Sequence, residues 1–104
     1  MAEIKNNKVV FQVKTNAANK VYICGSVAQL GAWDASKAVE LKKNEDGIFE
    51  ASKLLPAGMI VEYKVLSSKD WKSVEKTAYG EEVQNHLVSP QKGTVSYVEV
   101  ERFN

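Results

Sequence analysis

Trp33 stands in "GSVAQLGAWD" (residues 25–34), a stretch with two glycines and turn composition but no alternation that would bury a large ring. An indole there has two uses: folded back it is a lid on the core, and turned outward it is a flat apolar face on which a ligand ring can stack. Trp71 lies in the polar loop "SSKDWKSV", between Asp70 and Lys72, a setting that disfavours full burial. Residues suited to covalent or metal chemistry are scarcer. His86 is the one histidine and Cys24 the one cysteine, so neither finds the partners a metal site or disulfide needs. A nucleophilic triad requires a base beside a serine or cysteine, and nothing around Ser89 or Ser96 resembles a nucleophile elbow. His86 therefore reads as a surface or hydrogen-bonded histidine, and Cys24, in the strand-like "VYICG", as a buried inert thiol. The carboxylates sit in turns and on polar strand faces, and "GEE" at 80–82 would repel a phosphate rather than cradle it. The pattern is that of a binder without catalytic residues, metal or cofactor.

The elements that must position these side chains have a period of two. "KVVFQVK" (8–14) sets Val9, Phe11 and Val13 on one face, and "IVEYKVLS" (60–67) alternates Val61, Tyr63 and Val65 with Glu62, Lys64 and Leu66. "KVYICGS" (20–26) is a continuous β-prone run, as expected of a strand buried on both faces. "GIFEASKL" (47–54) and "TVSYVEVERF" (94–103) supply two more strands. In the last, the apolar phase slips between Tyr97 and Val98, the mark of a bulge or of a strand that changes partners. Turn clusters ("TNAAN", "KNEDG", "LPAG", "SSKD", "SPQKG") separate the runs, and "DASKAVEL" (34–41) is long enough for a single helical turn only. Short strands at regular spacing predict an all-β, antiparallel sandwich of about seven to eight strands, with residues 1–104 forming one domain.

Composition narrows the partners. The 14 basic and 13 acidic residues are interspersed, which gives a nucleic-acid backbone no basic stripe to bind. No apolar run approaches a membrane-spanning length, and "MAEIKNNK" lacks the apolar core of a signal peptide. The expected location is cytoplasmic if Met1 is native and extracellular if the segment is excised from a secreted protein.

"VYICGSVAQLGAWDASKAVEL" followed by "LPAGMIVEYKVL" resembles the family-20 carbohydrate-binding modules, the starch-binding domains attached to many amylolytic enzymes. The likeness runs nearly end to end, and "LG-x-WD" with "LPAG-x-x-x-EYK" at this spacing is specific. It implies an immunoglobulin-like β-sandwich and a noncatalytic module that binds an α-1,4-glucan (starch, glycogen or a maltooligosaccharide) beside a catalytic domain in a parent chain. By that resemblance Trp33 stacks on a glucose face, Lys64 donates to sugar hydroxyls, and Asn85 in "QNHLVSP" matches an asparagine that does the same.

Departures from the family are equally specific. The second stacking tryptophan of the family's "VEWE…NR" stretch aligns with Lys76, and His86 replaces the usual arginine. One aromatic plane is thus missing from its expected place, and Trp71 or Tyr79 must supply it if the site has two. A second glucan site, which in the family relies on tyrosines near the first turn and after the "AVEL" strand, is expected to be absent, because "TNAAN" and "KKNEDGIFE" offer only Phe49. The alternative reading is a β-sandwich that has lost sugar binding and contacts another protein through residues 67–90.

Overall fold

Alternation in the sequence becomes the core directly. In the computed structural model, which describes residues 5–104, β1 (Asn6–Lys14) buries Val9, Phe11 and Val13 completely. β5 (Val61–Leu66) buries Val61, Tyr63 and Val65 to the same extent while Glu62 stays exposed and Lys64 half-buried. These faces meet edge-on, with the rings of Phe11 and Tyr63 5.0 Å apart at 84°. Phe49 and Leu55 of β4 (Phe49–Pro56) and Leu41 of β3 (Val39–Lys43) complete the inner cluster.

β2 (Val21–Gly25) is buried at every position. Val21 and Ile23 face the core, whereas Tyr22 and Cys24 join a second cluster with Ala35, Ala38 and Leu66 on the outside of the sheet. That outer cover comes from the segment 26–38, with its 3-10 turns Ala28–Leu30 and Ala35–Lys37, and from Val74. The Cys24 thiol is pushed above its ordinary range, first by burial and then by the nearby Asp34 carboxylate, both of which disfavour the nucleophilic thiolate.

Nine strands form among the described residues, the last four being β6 (Glu75–Lys76), β7 (His86–Val88), β8 (Val95–Glu99) and β9 (Arg102–Phe103); the main ladder runs β7-β5-β2-β3-β4-β1-β8, with β6-β9 as a separate ribbon. The ladder folds into two layers at β3, where Val39–Leu41 pair with β2 and Lys42–Lys43 with β4. Every neighbouring pair is antiparallel except β1 with β8, which run parallel from Val10↔Val95 to Lys14↔Glu99. The phase slip between Tyr97 and Val98 is neither a bulge nor the point of a partner change: β8 stays in register with β1 through both residues, with Val95 and Tyr97 exposed and Val98 packed on the core. Pairing with β1 ends at Glu99, and the chain then changes partners: β9 pairs with β6. These two-residue strands, and β7, are too short to leave a periodic trace in the sequence. The family likeness and this architecture agree on an immunoglobulin-like sandwich.

A polar contact crosses the core. The Tyr63 hydroxyl meets Ser96 Oγ at 2.5 Å, and burial, aided by the Glu75 carboxylate, pushes its pKa up to about 12.

Candidate functional site

The turn that presents Trp33 is built against its own preference. Gly31 ends the first 3-10 turn at φ +87°, and Ala32 (φ +46°) and Trp33 (φ +66°) continue in the left-handed region. For residues with a Cβ this costs on the order of 1 kcal/mol each. Three 2.9 Å hydrogen bonds hold the conformation, from Ala32 N–H to the Val27 carbonyl, Trp33 N–H to Gly25 and Asp34 N–H to Gly31. Asp34 then accepts from Ser36 N–H and Oγ, which holds its carboxyl below the usual carboxylate range and starts the next turn. Left-handed residues other than glycine persist where the surroundings over-determine them, and they cluster at ligand clamps. The result is an indole 36% exposed: neither the buried lid nor a free ring.

Trp71 arrives from the other side. The loop after β5 closes on itself, with Asp70 accepting from Lys72 N–H at 2.8 Å and Ser73 Oγ bonding to Ser68 and to the Asp70 carbonyl. A 3-10 turn, Trp71–Ser73, lifts the second indole beside the first. The ring centroids are 6.0 Å apart with the planes inclined by 41°, and Trp71 Nε1–H donates to the Trp33 carbonyl at 3.1 Å. Trp71 is 37% exposed, so the pair presents two tilted apolar faces to solvent. Its one indole donor is used inside the protein, which leaves its ring an apolar surface toward a ligand.

Next to this pair the outer face of β5 turns polar. Lys64 lies directly across from Cys24, one residue before the Gly25 carbonyl that holds Trp33. Its Nζ donates to the Val83 carbonyl, which fixes the ammonium and leaves two of its three N–H donors for other partners. A groove of about 450 Å³ runs past it, lined by Glu62, Lys64, Glu82, Gln84, Asn85 and Leu87. Asn85 Nδ2 reaches Glu62 Oε1 at 3.4 Å, a weak bond that a better partner would displace. Trp33, Trp71, Lys64 and Asn85 thus lie on or beside one outer face of the β2–β5–β7 layer.

Tyr79 does not join them. It is 88% exposed in the connection between β6 and β7 and lines a separate hollow with Lys76, Glu81, His86 and Val100. Lys76, in the position aligned with the family's second tryptophan, pairs with Arg102 in the β6–β9 ribbon. Glu82, one of the acids of "GEE", and Gln84, whose one signal in the sequence is its place beside Asn85, line the groove of Lys64 and Asn85. Among the described residues no three side chains of metal-binding type converge.

A family model described as starch binding domain matches residues 6–98. The chain is 33% identical over 96 residues to an alpha-amylase of Niallia circulans, a match covering 88% of this chain and 7% of that protein. It is 41% identical over 64 residues to a lytic polysaccharide monooxygenase of Pyricularia oryzae, covering 56% of this chain and 17% of that one. The chain therefore spans less than a fifth of the length of these relatives. Among solved structures, the family 20 CBM of a maltotetraose-forming amylase from Pseudomonas saccharophila superposes with a TM-score of 0.66 at 25% identity, over 88% of this chain and 98% of that one. The glucoamylase of Hypocrea jecorina matches with a TM-score of 0.73 at 24% identity over 96% of this chain and 18% of that one, a likeness of fold.

Proposed function

The chain belongs to the starch-binding domain family, and from that membership we propose that it holds an α-1,4-glucan on the face built by Trp33, Trp71, Lys64 and Asn85. The observation that carries the reading is the pair of indoles, 6.0 Å apart and inclined by 41°. A pyranose has a weakly polar face of C–H bonds, and the two tilted planes suit a curved chain that turns from one sugar to the next. Covering on the order of 80 Å² per ring contributes about 2 kcal/mol by area. Lys64 and Asn85, with Glu82 and Gln84 beside them, supply donors and acceptors for the hydroxyls of sugars lying beyond the rings. Soluble maltooligosaccharides and glycogen are the same ligand chemistry as starch. The lengths of the relatives support a single module, residues 1–104, working beside a catalytic domain in a longer chain.

The expected affinity is modest, because ordering a flexible oligosaccharide opposes the contacts. Maltoheptaose should bind with about −4 to −6 kcal/mol, a Kd of roughly 30 µM to 1 mM, and insoluble starch should retain the protein. Failure of both titration and starch retention would exclude the reading.

Trp71 carries the second prediction. Trp71→Ala should weaken maltoheptaose binding by about 1–2 kcal/mol. Thermal stability should change little, since the ring is 37% exposed and its loop is closed by its own serines. Normal binding with a much lower Tm would make Trp71 a packing residue and leave the site with one ring.

A further inference from the structure

Glu75 is 2% exposed and stands at the wall of the hollow of Tyr79 and His86, outside the groove of Lys64 and Asn85. Its carboxylate accepts Val65 N–H at 2.5 Å and meets His86 Nε2 at 2.7 and 2.9 Å. The imidazole in turn lies against the Tyr63 ring, 5.2 Å between centroids. The place of this carboxylate in the ladder is specific. β5 pairs with β7 up to Tyr63↔His86, and the first bridge of β5 to the returning chain is Leu66↔Val74. Between those two pairings Val65 N–H faces no strand, and the Glu75 side chain fills the gap.

That gap is also the base of the loop that carries Trp71. The loop leaves β5 after Leu66 and returns at Val74, whose N–H bonds to the Trp71 carbonyl at 3.2 Å. Glu75 is the next residue, so its carboxylate fastens the returning arm to the strand of Lys64 and, through His86, to the strand that follows Asn85. A buried acid is a poor device for stability alone, because apolar residues of the same volume commonly do as well or better. It is a good device for fixing one register among several.

We propose that Glu75 is the positioning residue of the glucan face: it sets the place of the Trp71 ring without touching ligand. The inference rests on the α-glucan reading for its effect on affinity, but its effect on geometry can be read with no ligand present. Two indoles in contact give an exciton-coupled circular dichroism couplet whose size follows their mutual orientation.

Glu75→Gln keeps the volume and an acceptor for Val65 but gives up the carboxylate's hold on His86. In the otherwise intact protein it should reduce the tryptophan couplet to half or less and weaken maltoheptaose binding about five- to tenfold. In a Trp71→Ala background the same change should cost less than twofold, since the ring it positions is gone. An unchanged couplet, or an equal loss in both backgrounds, would overturn the proposal, whatever happens to the Tm. Should Glu75→Gln fail to fold, His86→Gln leaves Glu75 bonded to Val65 and should act in the same direction by about two- to threefold; an unchanged couplet there overturns the proposal equally. If the native protein itself does not bind maltoheptaose, the glucan reading fails and the couplet still decides the role of Glu75.

Discussion

Trp33→Ala should remove nearly all binding, taking maltoheptaose affinity down at least about 30-fold and retention on starch below detection. The stacking face itself accounts for about 2 kcal/mol. The substitution also strips Trp71 of the ring it packs against at 6.0 Å, so the second plane loses its lateral support. The fold should survive, for a definite reason. Alanine at φ +66° carries the same backbone strain as tryptophan, and the three hydrogen bonds that hold the turn are all made by backbone groups. Trp33→Gly is the matching control. It should lose binding to the same degree while relieving strain of roughly 1 kcal/mol, so its Tm should equal or exceed that of the alanine variant. Maltoheptaose binding within threefold of the native protein in either variant would move the site elsewhere.

Gly25→Ala should be the most damaging substitution of a residue that touches no ligand. A Cβ at this position would lie 2.5 Å from the Glu62 carbonyl, 2.9 Å from Leu30 Cδ1 and 3.0 Å from Tyr63 Cβ. The first of these is backbone and the last is the Cβ of a fully buried tyrosine, so neither yields without moving a strand. Overpacking of this kind costs about 3 kcal/mol, which for a chain of this size is a fall in Tm on the order of 10–20 °C. Binding should suffer in the molecules that remain folded, because the Gly25 carbonyl is the acceptor that holds Trp33 N–H. A Tm within about 5 °C of the native value would show that β2 and β5 can separate locally, and that the close approach is not structural.

The sandwich was legible because its strands obey simple periods. Val9, Phe11 and Val13 alternate in sequence and are all buried, and the unbroken run of β2 anticipates a strand covered on both sides. The positions of Trp33, Lys64 and Asn85 on one face follow from the resemblance to the family. Other features had no local signal. The left-handed backbone at Ala32 and Trp33 is set by hydrogen bonds to Gly25 and Val27, not by the two residues themselves. The meeting of Trp33 with Trp71 joins residues 38 apart, and the polar loop composition of "SSKDWKSV" gave only the exposure of its ring. Tyr79 and Trp71 are both aromatic residues of the same long connection, and the closed 3-10 turn after Asp70 is what brings Trp71 and not Tyr79 against Trp33. Glu75 reads in sequence as one more strand carboxylate beside Lys76. Its burial depends on where β7 stops and the returning chain begins, a matter of long-range pairing.

The two layers are fastened to each other on both sides. On one, β3 gives its first residues to β2 and its last to β4. On the other, the chain leaving β8 pairs as β9 with β6, next to the bridge from Val74 to β5. Peeling one layer from the other breaks both fastenings, so the most protected backbone amides of the two layers should exchange with solvent through one shared opening. Ligand bound on the β2–β5 face draws on that same opening. If the proposed face holds a glucan, its binding should therefore slow exchange in β1 and β4 as well, strands of the opposite layer.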